Sequence, residues 1–230
     1  MNAQRLAYEH LKTLILSGEL PANAPISAET VGRALGISRM PVREAILQLQ
    51  VEGLVTIGAN KRPFVTARTQ KEIVELFEIR VALESLAIER AAPRITPAVL
   101  DQLTRQLARM DKSAASPKRW LERHDEFHDI IIAAADMPRL HDEIRRIRHS
   151  IQPYIFMYIN AYKIPEMPGA EHSTIIDVLA RRDARLAREA FAQHIRDAAS
   201  GVIYFLMSGQ SPSQPVSPVR KRKNLKERVQ

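Results

Sequence analysis

The sequence predicts a mainly α-helical chain: an N-terminal winged helix-turn-helix with a small β-hairpin wing, followed by an all-α helical bundle. Three observations predict it. Between Ser27 and Gly53 a short apolar-periodic segment, a glycine turn and a longer segment follow one another with the dimensions of a helix-turn-helix. Two β-rich runs come next, on either side of a turn-forming stretch. From Thr69 to Met207 apolar residues recur at helical spacing, with no competing alternation of strand type.

Each element has a local reason. Gln4 to Ser17 forms an amphipathic helix with Leu6, Leu11, Leu14 and Ile15 on one side, stopped by Gly18. After a loop marked by Pro21 and Pro25, Ser27 caps a short helix, Ala28 to Leu35, with Val31 and Leu35 inward. Gly36 supplies the tight turn. Ser38 caps a third helix from Arg39 to about Val51, with Pro41 in the first turn, where its missing N–H costs nothing. Val55-Thr56-Ile57 and Phe64-Val65-Thr66 read as a hairpin around Gly58 to Pro63. Thr69 and Glu72 have the spacing of a capping box that opens the bundle. Thr96-Pro97 and Ser116-Pro117 open two more helices, each as a cap followed by proline at the first helical position. Asp136-Met137-Pro138 breaks the next helix, and Leu140, Ile144, Ile147, Ile151 and Ile155 stripe the one after. Pro165, Pro168 and Gly169 mark a loop. Two final helices span roughly 170–181 and 184–207, with Asp183 as the cap between them.

The expected organisation is therefore residues 1–68 as the winged helix-turn-helix, 69–207 as the helical bundle, and 208–230 as a Ser/Pro/Gln-rich and then basic tail that cannot bury a core. The net charge of +8 is unevenly placed: +3 in residues 1–68, zero in 69–207 and +5 in 208–230. Basic ends around a neutral middle suit a polyanion partner at the ends. The tail can equally be a solvated end. There is no cysteine, which excludes disulfides and thiolate metal sites and fits a reducing cytoplasm. No stretch of about 18 apolar residues marks a membrane span, and the opening residues lack a secretion-signal pattern.

In a helix-turn-helix the second helix enters the major groove, N-terminal residues first. Those residues are Ser38, Arg39, Met40 and Arg43. Arginine can bind guanine bidentately or hold a phosphate, and Arg39 and Arg43 share one stripe of the helix. The hairpin tip offers Asn60, Lys61 and Arg62 to the adjacent backbone or minor groove. The segment GISRMPVREAILQLQVEGLV, residues 36–55, resembles the recognition helix and wing entry of the GntR family of bacterial regulators. FEIRVALESLAIERAA, residues 77–92, resembles the first helix of the helical (FCD-type) ligand-binding domain in the FadR-type branch, and residues 72–207 look like that domain. Two positions depart from the family pattern. Glu29 stands where the first helix usually carries a DNA-contacting arginine, and Arg62-Pro63 stands where the wing usually has glycine.

Four of the seven histidines fall on inward stripes of the bundle: His124 and His128 one turn apart, His172 beside Ile175, Ile176 and Leu179, and His194 beside Ala190, Phe191 and Ala198. Neutral imidazoles suit zinc, nickel and similar ions, and i, i+4 spacing presents two to one metal. The resemblance implies a divalent-metal site of one aspartate and three histidines. His128, His172 and His194 match the histidines, while His124 occupies the aspartate position, so the fourth ligand is His124, is Asp125 next door, or is lost. Arg80 continues the inward stripe Ile73, Leu76, Leu83, Ala87, and a buried guanidinium needs an anionic partner. That partner is Glu84 one turn later, or the carboxylate of a bound small acid; the resemblance favours the acid.

These features imply a cytoplasmic homodimeric transcriptional regulator, most often a repressor in such families. It binds double-stranded operator DNA of near-palindromic sequence and senses a small organic acid beside a divalent metal, zinc or nickel. It is not expected to be an enzyme. The rival is a metal-dependent helical enzyme with an appended DNA-binding module, using Asp125 or Glu126 as general base. A second rival is a sequence-indifferent nucleic-acid binder led by the basic tail.

Overall fold

The computed structural model describes residues 2–162 and 168–208, and its fold is the expected one. Three helices come first: α1 (Ala3–Leu16), α2 (Ala28–Leu35) and α3 (Arg39–Val51). The antiparallel hairpin β1 (Val55–Ile57) and β2 (Pro63–Val65) follows. Six long helices complete the described chain: α4 (Gln70–Ala91), α5 (Pro97–Lys112), α6 (Pro117–Ala133), α7 (Pro138–Tyr162), α8 (Pro168–Ala180) and α9 (Ala184–Met207). The basic tail beyond Ser208 and the loop residue Pro165 lie outside the described residues.

The buried side chains fall into two clusters. One joins Ala7, Leu11 and Ile15 of α1 to Val42, Ala45, Ile46 and Leu49 of α3 and to Leu54, Val55 and Val65 at the hairpin. The other fills the bundle, where α4 runs against α9 and Phe77, Phe127, Ile131, Phe191 and Ile195 sit fully buried. Burying such apolar side chains is what each amphipathic stripe was patterned to do, at about 1.5–3 kcal/mol per large residue.

The turn of the helix-turn-helix depends on two glycines. Gly36 has φ 67°, a left-handed conformation that closes α2, and Ile37 N–H donates back to Gly32 carbonyl oxygen at 2.9 Å. A side chain on Gly32 would place its Cβ only 2.8 Å from the Ile37 carbonyl oxygen. Two expected caps differ. Ser38 and Ser116 occupy the N-cap positions of α3 and α6, but neither hydroxyl makes a capping hydrogen bond. Ser27, Thr69, Thr96 and Asp183 do cap, and Thr69 with Glu72 closes the capping box.

The second strand begins at Pro63, one residue earlier than its pattern suggests. Pro63 pairs with Ile57, and its carbonyl also accepts a hydrogen bond from Ile26 N–H at 2.9 Å, so tertiary pairing extends the strand. The loop before α2 thus covers the outer edge of β2 through Asn23, Ala24 and Ile26. Helix α8 starts at Pro168, where a loop was expected.

The winged-helix unit and the bundle are joined along α7. Arg68 N–H donates to Tyr154 Oη of α7 at 2.7 Å, a Cβ on Gly18 would lie 3.6 Å from the Phe156 ring of α7, and on α6 Lys118 Nζ lies 3.7 Å from Glu19.

Candidate DNA-reading face and metal centre

The helix-turn-helix presents every expected DNA contact to solvent. Ser38, Arg39, Met40 and Arg43 at the start of α3 are exposed, as are Asn60, Lys61 and Arg62 at the hairpin tip. Met40 is 61% exposed, which no packing role explains. Because Ser38 Oγ makes no capping bond, the first N–H groups of α3 stay open at the positive end of the helix, an arrangement suited to a phosphate oxygen. Lys61 takes φ 55° within the tip turn, where Gly58 N–H donates to the Arg62 carbonyl oxygen and Lys61 N–H to the Gly58 carbonyl oxygen, each at 2.9 Å. The tip is therefore closed without the glycine that the family pattern carries there.

Behind this unit, helices α6, α8 and α9 bring His124, His128, His172 and His194 together, with one ligand-capable nitrogen from each within 4.8 Å of the others. Phe127 and Phe191 line the cluster, and Trp120 stacks on His124 at a centroid distance of 4.9 Å. Burial pushes the pKa of His124 well down, helped by the three neighbouring histidines and Arg80. Burial does the same for His128, with Arg148, His194, Arg80 and His172 adding to it. Both are therefore neutral at neutral pH, with lone pairs free to bind an ion.

The donor set fits a metal. Among the described residues, the buried His124 Nδ1 and His128 Nε2 have no hydrogen-bond partner, an arrangement costly for polar atoms unless something occupies the space between them. His128 is also braced in the manner of a metal-bound imidazole: its Nδ1 lies 3.1 Å from Glu84 Oε2, which leaves Nε2 for the centre. The half-exposed Glu171 lies 3.5 Å from His194 Nδ1, and this contact holds its carboxyl below the usual range.

Of the residues offered for the fourth position, the structure brings His124 and not Asp125 to the cluster. Asp125 faces away from the cluster: its Oδ1 accepts from Arg148 Nη2 at 2.5 Å and its Oδ2 from Gln152 Nε2 at 2.7 Å. Glu126 is likewise committed, to Arg123 and to Gln106. Neither acid is among the residues that the structure gathers at the cluster.

Arg80 is buried at 4% exposure, and its Nε donates to Glu84 Oε1 at 2.5 Å. The internal partner is therefore present, and one carboxylate serves both Arg80 and His128. Sequence reasoning missed Arg148, which is equally buried. Burial opposes its charge, but Asp125, Glu84 and Asp129 outweigh that cost and raise its pKa. Its Nη1 donates to Asp129 at 2.6 Å, so it clamps α6 to α7. An arginine on the inner stripe beside Ile144 and Ile151 was the signal that could have found it.

Comparison with known proteins agrees with this geometry. Residues 75–197 match the FCD domain, and residues 3–65 match the bacterial regulatory proteins of the gntR family. The chain belongs to the GntR family, in its FCD-domain branch. Curated relatives of this GntR-family regulator include the HTH-type transcriptional repressor RspR of Escherichia coli K12, 27% identical over 198 residues that span 85% of this chain and 86% of RspR. The repressor GlaR of the same organism is 28% identical over 200 residues, 82% of this chain and 90% of GlaR. Among solved structures, E. coli McbR/YncC shares the fold with a TM-score of 0.79 at 20% identity, over 90% of this chain and 99% of that one. A GntR regulator from Rhodococcus sp. RHA1 does so with a TM-score of 0.74 at 21% identity, over 91% and 99%. These relatives are transcriptional regulators, and no enzyme is among them. Among the described residues, no helix is long and apolar enough to cross a membrane.

Proposed function

We propose that this GntR-family regulator is a metal-loaded, acid-responsive repressor that acts as a homodimer on a near-palindromic operator in the cytoplasm. Residues 1–68 bind DNA and residues 69–207 hold the effector and the dimer contacts. Arg39, Met40 and Arg43 address base edges, with Ser38 and the α3 N-terminus on a phosphate and Asn60, Lys61 and Arg62 following the adjacent backbone or minor groove. His124, His128, His172 and His194 hold zinc or nickel, ions that favour nitrogen donors.

The observation that carries this reading is the convergence of four histidines from three helices, with His128 braced by the same carboxylate that holds Arg80. A bound divalent ion would supply a positively charged centre for the carboxylate of a small acid. Glu84 fixes the His128 ring, and Arg80, whose charge reaches both His124 and His128, stands ready to share its guanidinium with an incoming carboxylate. The ligand releases DNA only by preferring one of two arrangements of the bundle and the winged helix, a coupling of about 1–3 kcal/mol.

Thermal denaturation of the chelator-treated protein tests this, with zinc or nickel added and then with a panel of small organic acids. Metal at about 100 times its Kd should stabilise by about 2.7 kcal/mol. The metal effect should vanish in His128→Ala, and any further rise with an acid should vanish in Arg80→Ala. Stabilisation by no metal would refute the metal site. Acid stabilisation that survives in Arg80→Ala would remove Arg80 from the effector role.

A further inference from the structure

Glu29 lies in the first turn of α2, on the face that carries the DNA contacts, and it is held there by two arginines. Its Oε1 accepts from Arg33 Nη2 at 3.2 Å, and its Oε2 lies 2.9 Å from Arg39 Nη2. One carboxylate thus ties the start of α2 to the first residue of α3. All three side chains are at least half exposed, so the contact is not a demand of core packing.

A carboxylate at this place has two consequences on a duplex. It is repelled by phosphate, so the first helix cannot clamp the backbone there as a basic residue would. It also restricts Arg39, a side chain that otherwise samples many rotamers. Arginine has five N–H donors in a rigid fork, so a guanidinium resting on Glu29 through one nitrogen keeps donors for a base edge. Arg33 keeps the trio net positive, so Glu29 can approach DNA without an uncompensated negative charge.

We infer that Glu29 is a specificity-determining residue, which positions Arg39 for one base pair of each half-site and withholds a sequence-independent phosphate contact from α2. The inference rests on the assignment of Arg39 to base reading, and the experiment separates the two.

The test is in vitro selection of operator sequences from a randomised duplex library with the full-length protein. Titration of the best duplex, its single-base variants and a random duplex at several salt concentrations then compares wild type, Glu29→Gln, Glu29→Arg, Arg39→Ala and the double variant Glu29→Gln/Arg39→Ala. Arg39→Ala should erase the preference at one base pair per half-site, about 5–100-fold. Glu29→Gln should lower the preference at that same base pair about 5–10-fold, within the range a good bidentate contact provides, while random duplex binds more tightly. Glu29→Arg should tighten random binding further and steepen the salt dependence by about one phosphate contact. The double variant should match Arg39→Ala at that base pair. If Arg39→Ala leaves every base preference intact, the base-reading assignment of Arg39 fails. If Arg39→Ala erases a preference that Glu29→Gln leaves at the wild-type level, the role of Glu29 alone is overturned. The same follows if Glu29→Gln lowers that preference through some other residue, still reducing it when Arg39 is absent. Unchanged melting temperatures would confirm that these exposed substitutions leave the fold intact.

Discussion

Removing the carboxylate of Glu84 should be the most damaging single change in the bundle. Glu84 is fully buried and accepts from two buried groups, the Arg80 guanidinium and the His128 ring. It also helps hold the charge of Arg148. Glu84→Ala strands a buried cation and a buried imidazole N–H together. Breaking a buried ion pair by deleting one partner costs about 3–5 kcal/mol, against a typical total stability of about 5–15 kcal/mol. Glu84→Gln keeps an acceptor of the same shape and should cost less, about 1–3 kcal/mol. Arg80→Met with Glu84→Gln removes the charge and its partner together, so this double variant should be more stable than the two single losses added. Urea denaturation of all variants in chelator isolates the fold from metal binding, and metal titration of those that fold should show affinity weakened about 10–100-fold when the His128 brace is lost. A Glu84→Ala protein within 1 kcal/mol of wild type, or single effects that simply add, would refute the shared-carboxylate reasoning.

Three further outcomes follow from the same structure. Arg43→Ala should lose about 1–3 kcal/mol at particular base positions, whereas Lys61→Ala should weaken binding evenly across sequences and reduce the salt slope by about 1, both read by duplex titration. His149, between the two units on α7, is held down to about 3 by burial and then by Lys12, Arg145 and Arg148. The unfolded chain therefore takes the proton first as pH falls below about 6.5. Stability is full above that value and declines toward pH 3, by about 2 kcal/mol from this group at pH 5, and His149→Gln should flatten that part of the denaturation–pH curve. Tyr154→Phe deletes the acceptor of the Arg68 N–H and should cost about 1 kcal/mol of stability, measured by urea denaturation; an unchanged midpoint would mean that this joint between the units carries no load.

What the sequence made legible was whatever it encodes locally. Gly36 at a left-handed turn, Pro41 in a first helical turn and the Thr69–Glu72 box announce their geometry within four or five residues, so the helix-turn-helix and the start of the bundle could be placed from them. The four histidines were legible in part for the same reason, since each sits on an apolar stripe. The choice between His124 and Asp125 was not legible as chemistry, because both can ligate a metal. Which of the two faces the other histidines is set by the roughly 100° that separates neighbouring residues on a helix. With Phe127, His128 and Ile131 inward, His124 lies on their stripe and Asp125 is carried round toward α7, where Arg148 and Gln152 meet it.

The contacts that finish the site were beyond local reading. Glu84 reaches His128 across 44 residues, and Arg148 reaches Asp129 across 19. Each requires knowing which helices are neighbours, and an amphipathic stripe reports only that a helix has a buried side. The same limit applies at the DNA face. Glu29 looked like a simple departure from its relatives until its contact with Arg39 showed the substitution to be paired. A residue that breaks a family pattern is best judged by what it touches: Glu29 touches an expected base reader and His124 faces three other histidines, so these departures fall where recognition of DNA and of a ligand would be set.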